Sequence, residues 1–153
     1  MQANIMEEDN GRSFNCAESV LIGINRESPI PGFTSSCMKI ASVLGGGVAG
    51  FREICGAVSG GVVCLGLLLG TSGDEDVETF NSQRTNTREI VKAYLQEFAD
   101  CWGSVQCGYL LEMDEGKRTP TGTLRSDGPP KKLCDEYVDW TVKKIAEIRM
   151  HLE

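Results

Sequence analysis

At 153 residues with 41% apolar side chains, the chain is sized for one domain with a real core. A net charge of −7 excludes a nucleic-acid backbone or an anionic membrane surface as its natural partner, because both need clustered Lys and Arg. The acidic start lacks a basic-then-apolar leader, so the expectation is a cytoplasmic protein with a flexible segment 1–12 and a single helical domain over 13–153.

In chain order, the first helix is predicted from Asn15 to Arg26. Asn15 caps it, with Glu18 in capping-box position, and Ala17, Val20, Leu21 and Ile24 form the apolar stripe. Pro29 to Gly32 breaks the chain. A second helix starts near Ser35 or Ser36, carries Met38, Ala41, Val43 and Leu44, and ends at Gly45-Gly46-Gly47. Ile54 to Gly73 holds no charge and reads as a central glycine-rich apolar helix. Within it Gly56, Gly60 and Cys64 make one small-residue ridge that lets another helix, or a second copy of the chain, come close. A long helix follows from Asp74 to Trp102, its first-turn acids matched to the helix dipole. Its stripe is Val77, Phe80, Ile90, Val91, Tyr94, Leu95 and Phe98. Cys107 to Met113 is a short helix, and Glu115 to Lys132 a long loop. Pro129-Pro130 leads into a last helix with Leu133, Tyr137, Trp140, Ile145 and Ile148 inward. Strand alternation is weak throughout. The fold class is all-α, a single compact domain of about five helices.

Seven cysteines stand out, and their odd number rules out full pairing within one chain. In a cytoplasmic setting they point to metal or redox work. Cys16, Cys55, Cys107 and Cys134 all fall near predicted helix starts, where free N–H groups and the dipole favour a thiolate. The alternative for each is a small buried hydrophobe. Cys64 lies nine residues after Cys55, half a turn out of phase, so the two face opposite sides of one helix. Cys64 therefore reads as packing. Cys37 fits either role. Cys101 precedes Cys107 by six residues across a turn, a spacing compatible with a bond.

Other motifs weigh less. Gly45-x-Gly47-x-x-Gly50 matches a dinucleotide fingerprint but lacks the strand that must precede it. Residues 54–73 are long enough to cross a bilayer, yet their acidic flanks favour a buried helix. His151, the only histidine, sits on the last turn and offers no Cys–His dyad. Arg84, Arg88, Lys92 and Lys117 read as solvated faces.

The chain resembles the redox-active protein family named for a C–GCAxxG–C–C cysteine pattern. The matching elements are Phe14-Asn15-Cys16-Ala17-Glu18, Gly45-Gly46-Gly47, Cys55-Gly56-Ala57-Val58-Ser59-Gly60, Gly103-Ser104 followed by Cys107, and Cys134 ahead of the last helix. The resemblance runs from about residue 13 to 148. It implies a small helical domain with redox thiols or metal ligands at Cys16, Cys55, Cys107 and Cys134. Gly56, Ala57 and Gly60 are then the expected cofactor contacts. Cys37, Cys64 and Cys101 lie outside the family pattern. Three functions follow. Four thiolates suit an iron–sulfur cluster for electron transfer. The same thiols suit reversible disulfide chemistry with a partner protein or a small thiol. A structural zinc-binding or small-ligand-binding module without redox activity ranks last, because Cys-x-x-Cys knuckles are absent. A homodimer is the expected assembly.

Overall fold

The structure, a computed structural model, describes residues 11–114 and 133–152. Six helices occur among the described residues: α1 Cys16–Glu27, α2 Ser35–Ser42, α3 Gly56–Leu69, α4 Val77–Trp102, α5 Cys107–Asp114 and α6 Leu133–Leu152. They contain no named strand, and Ile54 and Gln106 make one isolated antiparallel bridge.

Asn15 starts α1 as its spacing to Glu18 requires. Its Oδ1 accepts from the Glu18 N–H, and the Glu18 carboxylate accepts from the Asn15 N–H, both at 2.9 Å. The same amide reaches further, its Nδ2 donating to the Ala41 and Ser42 carbonyls at 3.2 Å. One side chain thus caps α1 and ties it to the end of α2. Ala17, Val20, Leu21 and Ile24 are all buried.

Helix α1 lies directly on α3, along the predicted ridge. A Cβ on Gly60 would sit 2.8 Å from the Ala17 carbonyl oxygen and 3.1 Å from the Val20 Cβ. The helices approach this closely because Gly60 has no side chain. Helices α4 and α6 pack on other sides of α3. Tyr94, on α4, donates its hydroxyl to the Val58 carbonyl at 2.9 Å. A Cβ on Gly61 would strike that hydroxyl and come within 2.9 Å of the Thr141 methyl on α6. Glycine at 61 is what lets three helices meet at one buried tyrosine. Below it, Phe98 and Trp102 of α4 interlock edge-on with Tyr137 and Trp140 of α6, at centroid distances of 5.0 to 5.8 Å for the T-shaped pairs.

Six helices among the described residues fit the expected all-α domain of about five. Several boundaries differ from expectation. The apolar run 54–73 is helical only over Gly56–Leu69. Helix α4 begins at Val77, not Asp74: Asp76 is the cap, accepting from the Thr79 N–H. Glu75 instead accepts from the Ser72 and Gly73 amides in the preceding turn. Val77, assigned to the buried stripe, is 77% exposed because it opens the helix beyond the packed body. Val43 is exposed because α2 stops at Ser42. The side chain of Leu133, the loop 115–132 and residues 1–10 lie outside the described residues, as does Lys117. No helix among the described residues is long and apolar enough to cross a membrane.

Candidate functional site

Four helix starts carry the four cysteines. Cys16 is the first residue of α1, Cys55 the N-cap of α3, Cys107 the first residue of α5 and Cys134 the second of α6.

Between α2 and Cys55 the backbone reverses its hand. Gly46, Gly47, Val48, Ala49 and Gly50 all have positive φ, from 50° to 78°, and Arg52 follows at 63°. Left-handed residues normally occur singly, since the conformation costs about 1–2 kcal/mol for each residue with a Cβ. Here the turn is held by its own hydrogen bonds. Ala49 donates to Val43 at 2.9 Å, Arg52 to Gly46 at 2.9 Å and Glu53 to Gly47 at 3.0 Å. Glycine is required at 47, where a side chain would collide with the backbone of Arg52 and Glu53.

The turn delivers residues 53–55 beside 105–107. The Cys55 N–H donates to the Val105 carbonyl at 2.7 Å, and the Cys107 N–H donates to Glu53. These bonds flank the Ile54–Gln106 bridge and set Cys55 alongside Cys107. The third thiol comes from the α1–α3 contact: a Cβ on Gly56 would lie 3.2 Å from the Cys16 Cβ. The fourth comes with α6, where the Cys134 thiol hydrogen-bonds to Cys16. Each of the four lies within electrostatic reach of the other three.

Their environments push them apart in acidity. The hydrogen bond from Cys134 lowers the Cys16 pKa, against burial and the charges of Cys55, Cys107 and Asp135, which raise it. Burial pushes Cys55 up to about 11. The Ala57 and Val58 amides face its sulfur and pull the other way, without closing a side-chain cap. Burial also raises Cys107, and the Arg52 guanidinium partly offsets this. Cys16 is half-buried, whereas Cys55 and Cys107 are buried. The most acidic of the three is therefore the more accessible, which is the combination a nucleophilic thiol needs.

The remaining cysteines stay outside this cluster. Cys64 is wholly buried and raised to about 12 by that burial. Cys37 packs under the start of α2, its thiol 3.7 Å from the Gly32 carbonyl. Cys101 is exposed and Cys107 buried, and neither is in a disulfide: all seven cysteines are thiols. His151 is exposed, with Nδ1 2.8 Å from the Glu147 carbonyl in its own turn. Of the expected cofactor contacts, Ala57 is fully buried, while Gly56 and Gly60 face α1. Arg52 and Asp135, the charges that bear on Cys107 and Cys16, were not singled out from sequence. Their only local signal is proximity to a cysteine, three residues before Cys55 and one after Cys134.

A family model described as "Putative redox-active protein (C_GCAxxG_C_C)" matches residues 14–148. The chain belongs to this family. No curated protein and no solved structure matches it. The family match spans all four clustered cysteines and the helices that carry them, short of the last turn of α6. It gives the chain its class, a redox-active protein, and leaves the chemistry to the thiols themselves. As donors, four thiols are right for a metal centre. Among the described residues, no three His, Cys, Asp or Glu side chains are grouped to hold a single metal ion.

Proposed function

We propose that the chain is a thiol–disulfide redox protein in which Cys16 and Cys134 are the pair that cycles. The observation that carries this reading is the hydrogen bond between those two thiols, which lowers the Cys16 pKa. The co-reactant is a disulfide, on a protein or a small molecule. The Cys16 thiolate attacks one of its sulfurs, forming a mixed disulfide and releasing one partner thiolate. Cys134, deprotonated, then attacks the Cys16 sulfur and releases the second. The chain loses two electrons and two protons, and the partner disulfide gains them. The reverse sequence reduces the chain. Cys55 and Cys107, held protonated at neutral pH by burial, are weak competitors for the attack. Among the described residues no three metal-ligating side chains are grouped to hold a single metal ion, so no step is routed through one.

The test begins with protein purified without oxygen, assayed for iron, sulfide, zinc and free thiols. A stoichiometric disulfide oxidant should then consume two thiols, and peptide mapping should find Cys16 joined to Cys134. Dithiothreitol should restore both. Stoichiometric iron and sulfide, with a visible band lost in Cys16→Ser, Cys55→Ser, Cys107→Ser and Cys134→Ser, would replace this reading with the cluster.

A further inference from the structure

Helix α3 has no charged residue, and a helix apolar on every side belongs in an interior. Its inner face is buried at Ala57, Val58, Cys64 and Leu65. Among the described residues nothing covers its outer face. Val62 is half-buried, Gly66 is exposed, and a side chain built on Gly66 would meet nothing within 4 Å. Glycine inside a helix costs about 1 kcal/mol relative to alanine, and no neighbour among the described residues explains it there. Val62 and Gly66, with Val91 and Leu95 of α4, floor an open groove of about 680 Å³. Arg88 and Lys92 stand on its rim, and neither makes an ion pair among the described residues.

The complement to this groove lies on the same helix. The first turns of α4 are apolar and acidic: Val77 is 77% exposed, Phe80 half-buried, and Asp76 and Glu78 are exposed. Glu78, Asn81, Thr85, Arg88, Lys92 and Leu95 recur at three- and four-residue steps and so share one face of α4. Glu78 and Lys92 stand equally far from Thr85 along that face. A two-fold axis at Thr85, with the helices antiparallel, sets Glu78 of one copy opposite Lys92 of the other, and the same contact occurs twice.

We infer that a second copy of this chain covers the groove in this antiparallel arrangement. The apolar tip at Val77 of each copy meets the apolar floor of the other, and Gly66 leaves space for its approach. The inference is independent of the redox reading, because the groove contains none of the four clustered thiols.

Sedimentation equilibrium of the full-length protein tests it, on wild type, Glu78→Lys, Lys92→Glu and the double exchange. Wild type is expected to be a dimer. Each single reversal turns two attractions into two repulsions and should weaken the dimer about 30-fold. The double exchange should restore it to within a few-fold. Gly66→Trp, placed where the monomer has open space, should keep its helical circular dichroism and lose the dimer. A monomeric wild type overturns the inference. So does a dimer that ignores the reversals, or one that the double exchange fails to rescue.

Discussion

Oxidation of Cys16 and Cys134 should stabilise the fold by an amount its topology sets. Cys16 opens α1 and Cys134 lies at the start of α6, and these helices pack on each other. A bond between them closes a loop of about 120 residues, which lowers the entropy of the unfolded chain by the equivalent of about 5 kcal/mol. The native state gives little of this back, since the two thiols already share a hydrogen bond. By linkage the fold favours the bond equally, making it more reducing than the same pair in an unfolded chain by about 110 mV. Urea unfolding of the oxidised and reduced proteins measures the first quantity. With a slope of about 2 kcal/mol per molar, the midpoint should rise by about 2.5 M on oxidation. Cys134→Ala should show no such rise. If mapping confirms the Cys16–Cys134 bond and the midpoints coincide, or the oxidised form unfolds earlier, the pair is not held in bonding position and the reasoning fails.

Cys134→Ala should also raise the Cys16 pKa, because the hydrogen bond that lowers it is gone while burial and the neighbouring thiols still raise it. Iodoacetamide labelling of Cys16 at pH 7.5 should slow about tenfold, with its pH profile moving upward. Cys55 and Cys64 have folded values of about 11 and 12 against an ordinary 9.0, so the native state holds them protonated. Their contribution is intact below pH 9 and lost above it, by up to about 1.4 kcal/mol per pH unit for each thiol. Urea titrations from pH 8 to 11 should show this decline, shallower in Cys64→Ala. Gly61→Ala should destabilise by about 2–3 kcal/mol by driving a methyl into the Tyr94 hydroxyl, and Tyr94→Phe should recover part of that in the double variant. Asn15→Ala should cost about 2 kcal/mol in the same assay, from the lost cap and the lost tie to α2.

The legible features were those decided locally. Asn15 and Glu18 form a cap from residues three apart, and the Ala17-to-Ile24 stripe needs only helical spacing. The Gly56–Gly60 ridge was readable as a close contact, although only packing shows that α1 occupies it. Helix ends were harder. The acids at 74–76 all suit an N-terminus, and only the Asp76 bond to Thr79 picks the cap. The left-handed turn was not readable, because Gly45-Gly46-Gly47 ends a helix equally well and nothing in Val48, Ala49 or Arg52 advertises positive φ. The approach of Cys55 to Cys107 depends on the bridge between Ile54 and Gln106, residues far apart in sequence that carry no pairing signal. Tyr94 looked like one stripe residue among seven. Its hydroxyl becomes informative only above Gly61.

The left-handed turn inverts an ordinary rule of protein engineering. Where the native backbone accepts a side chain and a methyl has room, replacing glycine with alanine stiffens the unfolded chain and stabilises the protein. At residues 46–50 and at Arg52 the native φ is left-handed, so a Cβ at any of these positions works against the turn. Val48 and Ala49 are the residues to replace with glycine, or with a D-amino acid in a synthetic chain, whose mirror-image preference matches the turn. The stretch leading to Cys55 is thus a place where the twenty standard residues offer one good choice and chemical synthesis offers many.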